Sequence, residues 1–239
     1  MKLEEQIIYS DEDVVVINKP SGILTIPDRE GKGNSLKELL QDKFENIFTV
    51  HRLDRDTSGV VIFARNEKMH RHLSMQFEHR ETKKFYNGLV LGEPSPGVGT
   101  INEPIAEHPG KKGLMTVYRK GKESITDYET EESFRLFSWM RFRIHTGRTH
   151  QIRVHMKHIG HPIACDAFYG DGKPVFISQI KNKYKLSEKE EEERPILSRL
   201  ALHASEIIIK NLKGGEYQFI APPPKDLRAV VQQLKKWKK

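Results

Sequence analysis

The stretch TVHRLDRDTSGVVIFA, residues 49–64, sets a charged loop directly against an apolar strand. Val60–Ala64 is a short β-branched run, and Gly59 gives the chain a flexible way into it. Working outward, Asp13–Asn18 (DVVVIN) reads as an earlier strand closed by the turn Lys19-Pro20-Ser21-Gly22. Asn34 or Ser35 can cap a helix, and Ser35 with Glu38 fits a capping box. Asn66 can cap a helix carrying Met69, Leu73 and Phe77 on one face. Thr82–Leu91 alternates, placing Lys84 and Tyr86 opposite Phe85. Three or four strands are expected between Thr100 and His145, then an amphipathic helix over Thr149–Ile159 with Thr149 able to cap it. Leu202–Lys210 and Gly215–Ile220 read as a hairpin, and a last helix buries Leu227, Val230, Val231 and Leu234. Strands and helices interleave without regular βαβ spacing. The expected fold class is therefore α+β, a mixed, mostly antiparallel central sheet flanked by helices and loops, in one domain over 1–239.

Composition narrows the function. The 239 residues carry 40 Lys+Arg against 33 Asp+Glu, a net charge of +7 that favours a polyanionic partner, nucleic acid first. Six bases and one acid in Lys225–Lys239 hold most of that excess in the basic C-terminal helix 225–239. Residues 181–194, with five bases and five acids and no apolar period, read as a solvated insertion. Cys165 is the only cysteine, which excludes a disulfide framework and a cysteine-based zinc site. No apolar run is long enough to span a membrane, and the acidic start lacks the features of a signal peptide, so a cytoplasmic protein is expected.

Two segments are dense enough to carry chemistry. In the first, Asp54 stands between Arg52 and Arg55, whose charge favours an ionised carboxylate. On these residues alone an ion-paired surface loop is the leading reading. In the second, His145-Thr146-Gly147-Arg148-Thr149-His150-Gln151-Ile152-Arg153-Val154-His155, a glycine turn meets a helix start where backbone N–H groups and Arg148 suit a phosphate. Arg153, one turn on, can reach inward to a carboxylate; a merely solvated basic face reads as well. His155, His158 and His161 invite a metal site, but no carboxylate stands at ligand spacing and no HExxH occurs, so no metal is expected. No P-loop, dinucleotide fingerprint or serine-hydrolase elbow is present, and no cofactor is called for.

Together the segments resemble the RluA-type pseudouridine synthases. Four blocks match in order: Val16-Ile17-Asn18-Lys19-Pro20-Ser21-Gly22; His51-Arg52-Leu53-Asp54 with Thr57-Ser58-Gly59; Lys84-Phe85-Tyr86; and Gly147–His155 continuing through Gly160-His161-Pro162-Ile163 to Asp166. Leu202-His203-Ala204 and Phe219-Ile220-Ala221-Pro222 resemble the closing strands. The resemblance implies an isomerase that converts uridine in RNA to its C5-glycoside, without cofactor or metal. It implies Asp54, Tyr86 and Arg153 as catalytic residues, with Arg153 set against Asp54 and Arg148 as the alternative. Lys19, His51, Arg52, Thr57, Arg148 and His150 form the implied substrate-binding set. Because the first block begins near residue 18, the small N-terminal RNA-binding domain carried by many relatives is not expected before it. The implied partner is a stem-loop in RNA, ribosomal RNA ahead of tRNA, with base flipping at the target and neither DNA nor membrane involved; a monomer is expected. Two rivals remain: a non-catalytic RNA-binding or chaperone module, which would need no intact Asp54, and a metal-dependent nuclease or phosphatase built on the histidines, which a chelator would silence.

Overall fold

A computed structural model describes residues 2–28, 35–181, 184, 186 and 192–238. Most of the 181–194 insertion, and Asn34 as a cap, lie outside the described residues. Along the chain come β1 (Ile7–Ser10), β2 (Val14–Lys19), α1 (Leu36–Gln41), β3 (Phe48–Thr49), β4 (Ser58–Ala64), α2 (Glu67–Glu78) and β5 (Lys83–Leu91). Then follow β6 (Val98–Asn102), β7 (Ile105–Glu107), β8 (Met115–Val117), β9 (Ile125–Ser133), β10 (Phe137–Ile144), α3 (Gln151–His158) and the single turn α4 (Ile177–Ile180). The chain ends with β11 (Leu202–Lys210), β12 (Glu216–Ile220) and α5 (Lys225–Lys236).

The chain divides into two compact units. The first comprises Met1–Tyr86, Arg143–His145 and His203–Pro223; the second comprises Asn87–Phe142, Thr146–Leu202 and Pro224–Lys239. Pairing is antiparallel for β1/β2, β2/β4, β3/β4, β11/β12, β6/β9 and β7/β8, and parallel for β4/β11. The fold class is thus α+β with a mixed, mostly antiparallel sheet.

In the first unit, β4 is buried at every residue because it has neighbours in β2 and β11 and is covered by α2. Two of its features are legible locally. Asn66 Oδ1 accepts the Met69 N–H (2.8 Å) and starts α2, which buries Met69 and Leu73. Ser35 and Glu38 form the full capping box of α1. Gly59 has φ +119°, and a Cβ there would stand 2.1 Å from Ala204 O, so β4 and β11 can meet only at a glycine.

The second unit orders its strands β5-β10-β9-β6, with β7 and β8 as a separate ribbon. Four complete strands, β7 to β10, lie between Thr100 and His145 as expected, and β6 begins just before, at Val98. The helix start is corrected. His150, not Thr149, is the N-cap, in the left-handed region at φ 57° and with no side-chain cap bond. Gln151 ties the turn instead: its Oε1 accepts the Arg148 N–H (3.0 Å) and the Thr146 hydroxyl (2.7 Å). Its Nε2 donates to Ile125 O and Thr126 Oγ1, both at 3.0 Å. In α5, Leu227, Val230 and Leu234 are buried as expected, while Val231 is half-buried. Among the described residues no helix is long and apolar enough to cross a membrane.

Candidate active site

The loop carrying Asp54 is held from beneath by the turn that follows β2. Lys19 is fully buried, and its ammonium donates to Pro20 O (3.1 Å), Ile23 O (2.8 Å) and Arg55 O (2.9 Å). Gly22 N–H donates to the same Arg55 oxygen (2.9 Å), and Ser21 Oγ donates to Asp56 O (2.7 Å). Thr25 Oγ1 accepts Leu53 N–H (3.2 Å) and donates to Leu53 O (3.0 Å). Thr57 N–H closes onto Asp54 O (3.2 Å). Backbone groups on both sides of Asp54 are therefore pinned, and the residue itself is half-buried.

Tyr86 packs against the first unit's apolar core with its residue still partly exposed. Burial pushes its hydroxyl above the ordinary phenol value, and the Asp54 charge pushes it further the same way. Both causes favour the protonated phenol.

Several expected contact residues have a supporting place in the loop. His51 accepts the Ile62 N–H at Nε2 (3.0 Å) and stacks on Phe77 at 4.8 Å. Burial, then the Lys84 charge, depresses it to about 3, so it is neutral. Thr57 is buried, and Lys19 has no exposed surface. Arg52 is exposed. Ser58 and His203, both fully buried, tie β4 to β11: Ser58 Oγ donates to His203 Nδ1 (3.0 Å), and His203 Nε2 donates to Ala221 O (3.0 Å).

In the second unit, Arg153 and Asp166 form a bidentate pair, both bonds at 2.7 Å, with the residues 3% and 1% exposed. Asp166 also accepts the N–H groups of Phe168 (2.9 Å) and Tyr169 (3.1 Å). The residues alone did not mark Asp166 for this; the signal available was a single acid thirteen residues beyond an arginine on a helix. Arg148 Nε donates to Glu123 O (3.0 Å), and His150 Nδ1 shares a hydrogen bond with Tyr169 OH (2.7 Å).

Two of the three histidines are held by separate partners. His155 donates Nε2–H to Glu103 O (3.0 Å) and accepts Thr126 Oγ1–H (2.9 Å), while His161 Nδ1 meets Leu91 O (2.9 Å). Among the described residues no three His, Cys, Asp or Glu side chains gather as a ligand set. In the basic tail, Lys235 and Lys238 both pair with Glu132 (3.0 and 3.2 Å).

The pinned loop thus brings the Asp54 charge within electrostatic reach of the Tyr86 hydroxyl. Residues 13–158 match the family described as RNA pseudouridylate synthase. The chain belongs to that family. Ribosomal large subunit pseudouridine synthase D of Escherichia coli K12 is 33% identical over 96% of this chain and 70% of its own length. The enzyme of the same name from Buchnera aphidicola is 32% identical over 95% and 73%. Human RNA Pseudouridylate Synthase Domain Containing 4 superposes with TM-score 0.72 at 25% identity, covering 98% of this chain and 94% of that one. Human RNA Pseudouridylate Synthase Domain Containing 1 gives 0.70 at 25% identity, covering 96% and 94%. As a pseudouridylate synthase the chain is an isomerase that acts on RNA.

Proposed function

We propose that this synthase isomerises a uridine of large-subunit ribosomal RNA in the cytoplasm, acting as a monomer on a stem-loop, with Asp54 as its essential carboxylate. The observation that supports the reading is the clamped loop, which fixes the backbone around a half-buried Asp54 whose charge acts on Tyr86. The ribosomal target is favoured by the name of the bacterial relatives.

As the C1′–N1 bond breaks, the sugar carbon becomes electron-poor, and an ionised carboxylate beside it stabilises that charge or attacks it. The uracil turns, C5 bonds to C1′, and C5 then gives up its hydrogen as a proton while N1 takes one up. A paired uridine must first leave its helix, at a cost of ~2–4 kcal/mol that is smallest in loops. Tyr86 stacks on the extruded base, and its hydroxyl stays protonated. Arg52, exposed on the same loop, takes the place of the flipped base. Arg153, matched to the third block, is the second functional charge, and Arg148 and His150 lie toward the RNA backbone.

Tritium release from ribosomal RNA labelled at uridine C5 tests the assignment. Asp54→Asn is expected to release no tritium while RNA affinity stays within a few-fold. Tyr86→Leu should slow turnover more than Tyr86→Phe, which keeps the ring. Asp54→Asn turnover near the wild-type rate would overturn the assignment of Asp54.

A further inference from the structure

The second unit contains a groove of about 370 Å³ that the isomerase chemistry leaves unexplained. Its walls come from three places: His108 and Lys111 from the β7–β8 hairpin, Lys157 and His158 from α3, and Phe168 and Tyr169 from the loop beyond α3. Among the described residues no lining side chain is acidic.

The groove is built rather than incidental. The hairpin is fastened to the loop where Met115 N–H donates to Tyr169 OH (2.8 Å). Leu114, Met115 and Val117 pack on the buried cluster of Ile105, Val154 and Tyr169. Lys157 Nζ lies 5.8 Å above the Tyr169 ring, which keeps an ammonium at the wall. His108 Nδ1 accepts the Gly110 N–H (3.1 Å), so its proton sits on Nε2 as a donor.

Phe168 supplies the other half of the chemistry. Its backbone is fixed by Asp166, and its ring lies 5.5 Å from the Arg153 guanidinium and near-parallel to His150 at 6.4 Å. The residue is nonetheless 55% exposed. A pinned, exposed ring among ammonium and imidazole donors combines a stacking platform for a base with donors for a phosphate.

We propose that this groove binds one unpaired nucleotide of the RNA substrate, its base on Phe168 and its phosphate among Lys111, Lys157 and His158. The proposal rests on the reading of the chain as an enzyme of RNA, and it adds a second point of attachment besides the isomerised uridine.

The test is anisotropy of the whole protein with fluorescein-labelled decauridylate across a salt series, beside a ten-base-pair RNA duplex. Phe168→Ala is expected to weaken decauridylate binding on the order of ten-fold with the salt slope unchanged. Phe168→Trp should keep wild-type affinity, which separates stacking from loss of the fold. Lys111→Ala with Lys157→Ala should weaken binding and reduce the slope of log K against log salt by about 0.7 for each phosphate no longer neutralised.

Wild-type affinity and slope in both the Phe168→Ala and double-lysine proteins would overturn the proposal. So would equal weakening of the duplex by Phe168→Ala, or a decaglutamate peptide that binds with the same sensitivity to these variants. Assays of pseudouridine in ribosomal RNA separate the two readings. Normal isomerisation with normal oligonucleotide binding in the variants removes the groove alone. No isomerisation by the wild type, with binding lost in the variants, removes the isomerase reading alone.

Discussion

The ammonium of Lys19 donates to the backbone oxygen of Arg55 at 2.9 Å, one residue beyond the candidate carboxylate Asp54. With Pro20 O and Ile23 O it forms a buried hub that joins the turn after β2 to the active-site loop. A charge with no exposed surface survives because these carbonyl dipoles converge on it. The same hub engages the Lys19 ammonium inside the fold.

Removing the ammonium leaves those carbonyls without their donor in a buried site. Lys19→Met is therefore expected to destabilise the protein by about 3 kcal/mol or more in urea unfolding. Turnover should fall with the loop's loss of order. The salt dependence of RNA binding should stay at the wild-type slope, since Lys19 neutralises no phosphate. A stable Lys19→Met protein with a flattened slope would return Lys19 to the RNA interface.

A second expectation concerns acid. His51 is neutral in the fold because burial and Lys84 depress it to about 3, against an ordinary value near 6.5. Its contribution is fully present above pH 6.5, where both folded and unfolded forms are neutral. Between 6.5 and about 3 the unfolded chain takes up a proton that the folded chain refuses, so stability falls as the pH drops through that window. His155, also depressed by burial, acts in the same direction. For His51 the slope is at most about 1.4 kcal/mol per pH unit. His51→Gln can still accept the Ile62 N–H, so it should lose some stability at about pH 7.5 yet show a shallower decline between roughly pH 6.5 and 5. Parallel urea-midpoint curves for the two proteins would contradict this.

These cases show which parts of the molecule were legible in the sequence. The β4 strand, the Asn66 cap and the β11–β12 hairpin were readable because each is set by neighbours in sequence: an apolar run, a cap residue, a turn. The four blocks carried the family. What local pattern does not encode is a partner fixed by tertiary approach. A lysine in a turn reads as solvated, and only the loop folding over it makes Lys19 a buried hub. Thr149 reads as the natural helix cap, but His150 takes the left-handed turn and Gln151 satisfies the freed backbone group. The lysines at the C-terminus read as open charge until Glu132 is brought to Lys235 and Lys238.

The Arg153–Asp166 pair carries the third expectation. Two parallel bonds at 2.7 Å between nearly inaccessible groups fix the guanidinium plane, and the Phe168 and Tyr169 N–H groups fix the carboxylate. Lysine has no planar fork, so Arg153→Lys keeps the charge and loses one of the two bonds. Asp166→Asn keeps the shape and takes one carboxylate charge away from the guanidinium. Breaking one side of such a buried pair costs about 3–5 kcal/mol, whereas removing both charges together costs less than the sum. Urea unfolding followed by tryptophan fluorescence should therefore show Asp166→Asn and Arg153→Lys each strongly destabilised. The combined Asp166→Asn, Arg153→Met protein should be less destabilised than the sum of Asp166→Asn and Arg153→Met alone. Strict additivity would mean that the pair is not coupled, and that Asp166 matters only as the acceptor for the loop that carries Phe168 and Tyr169.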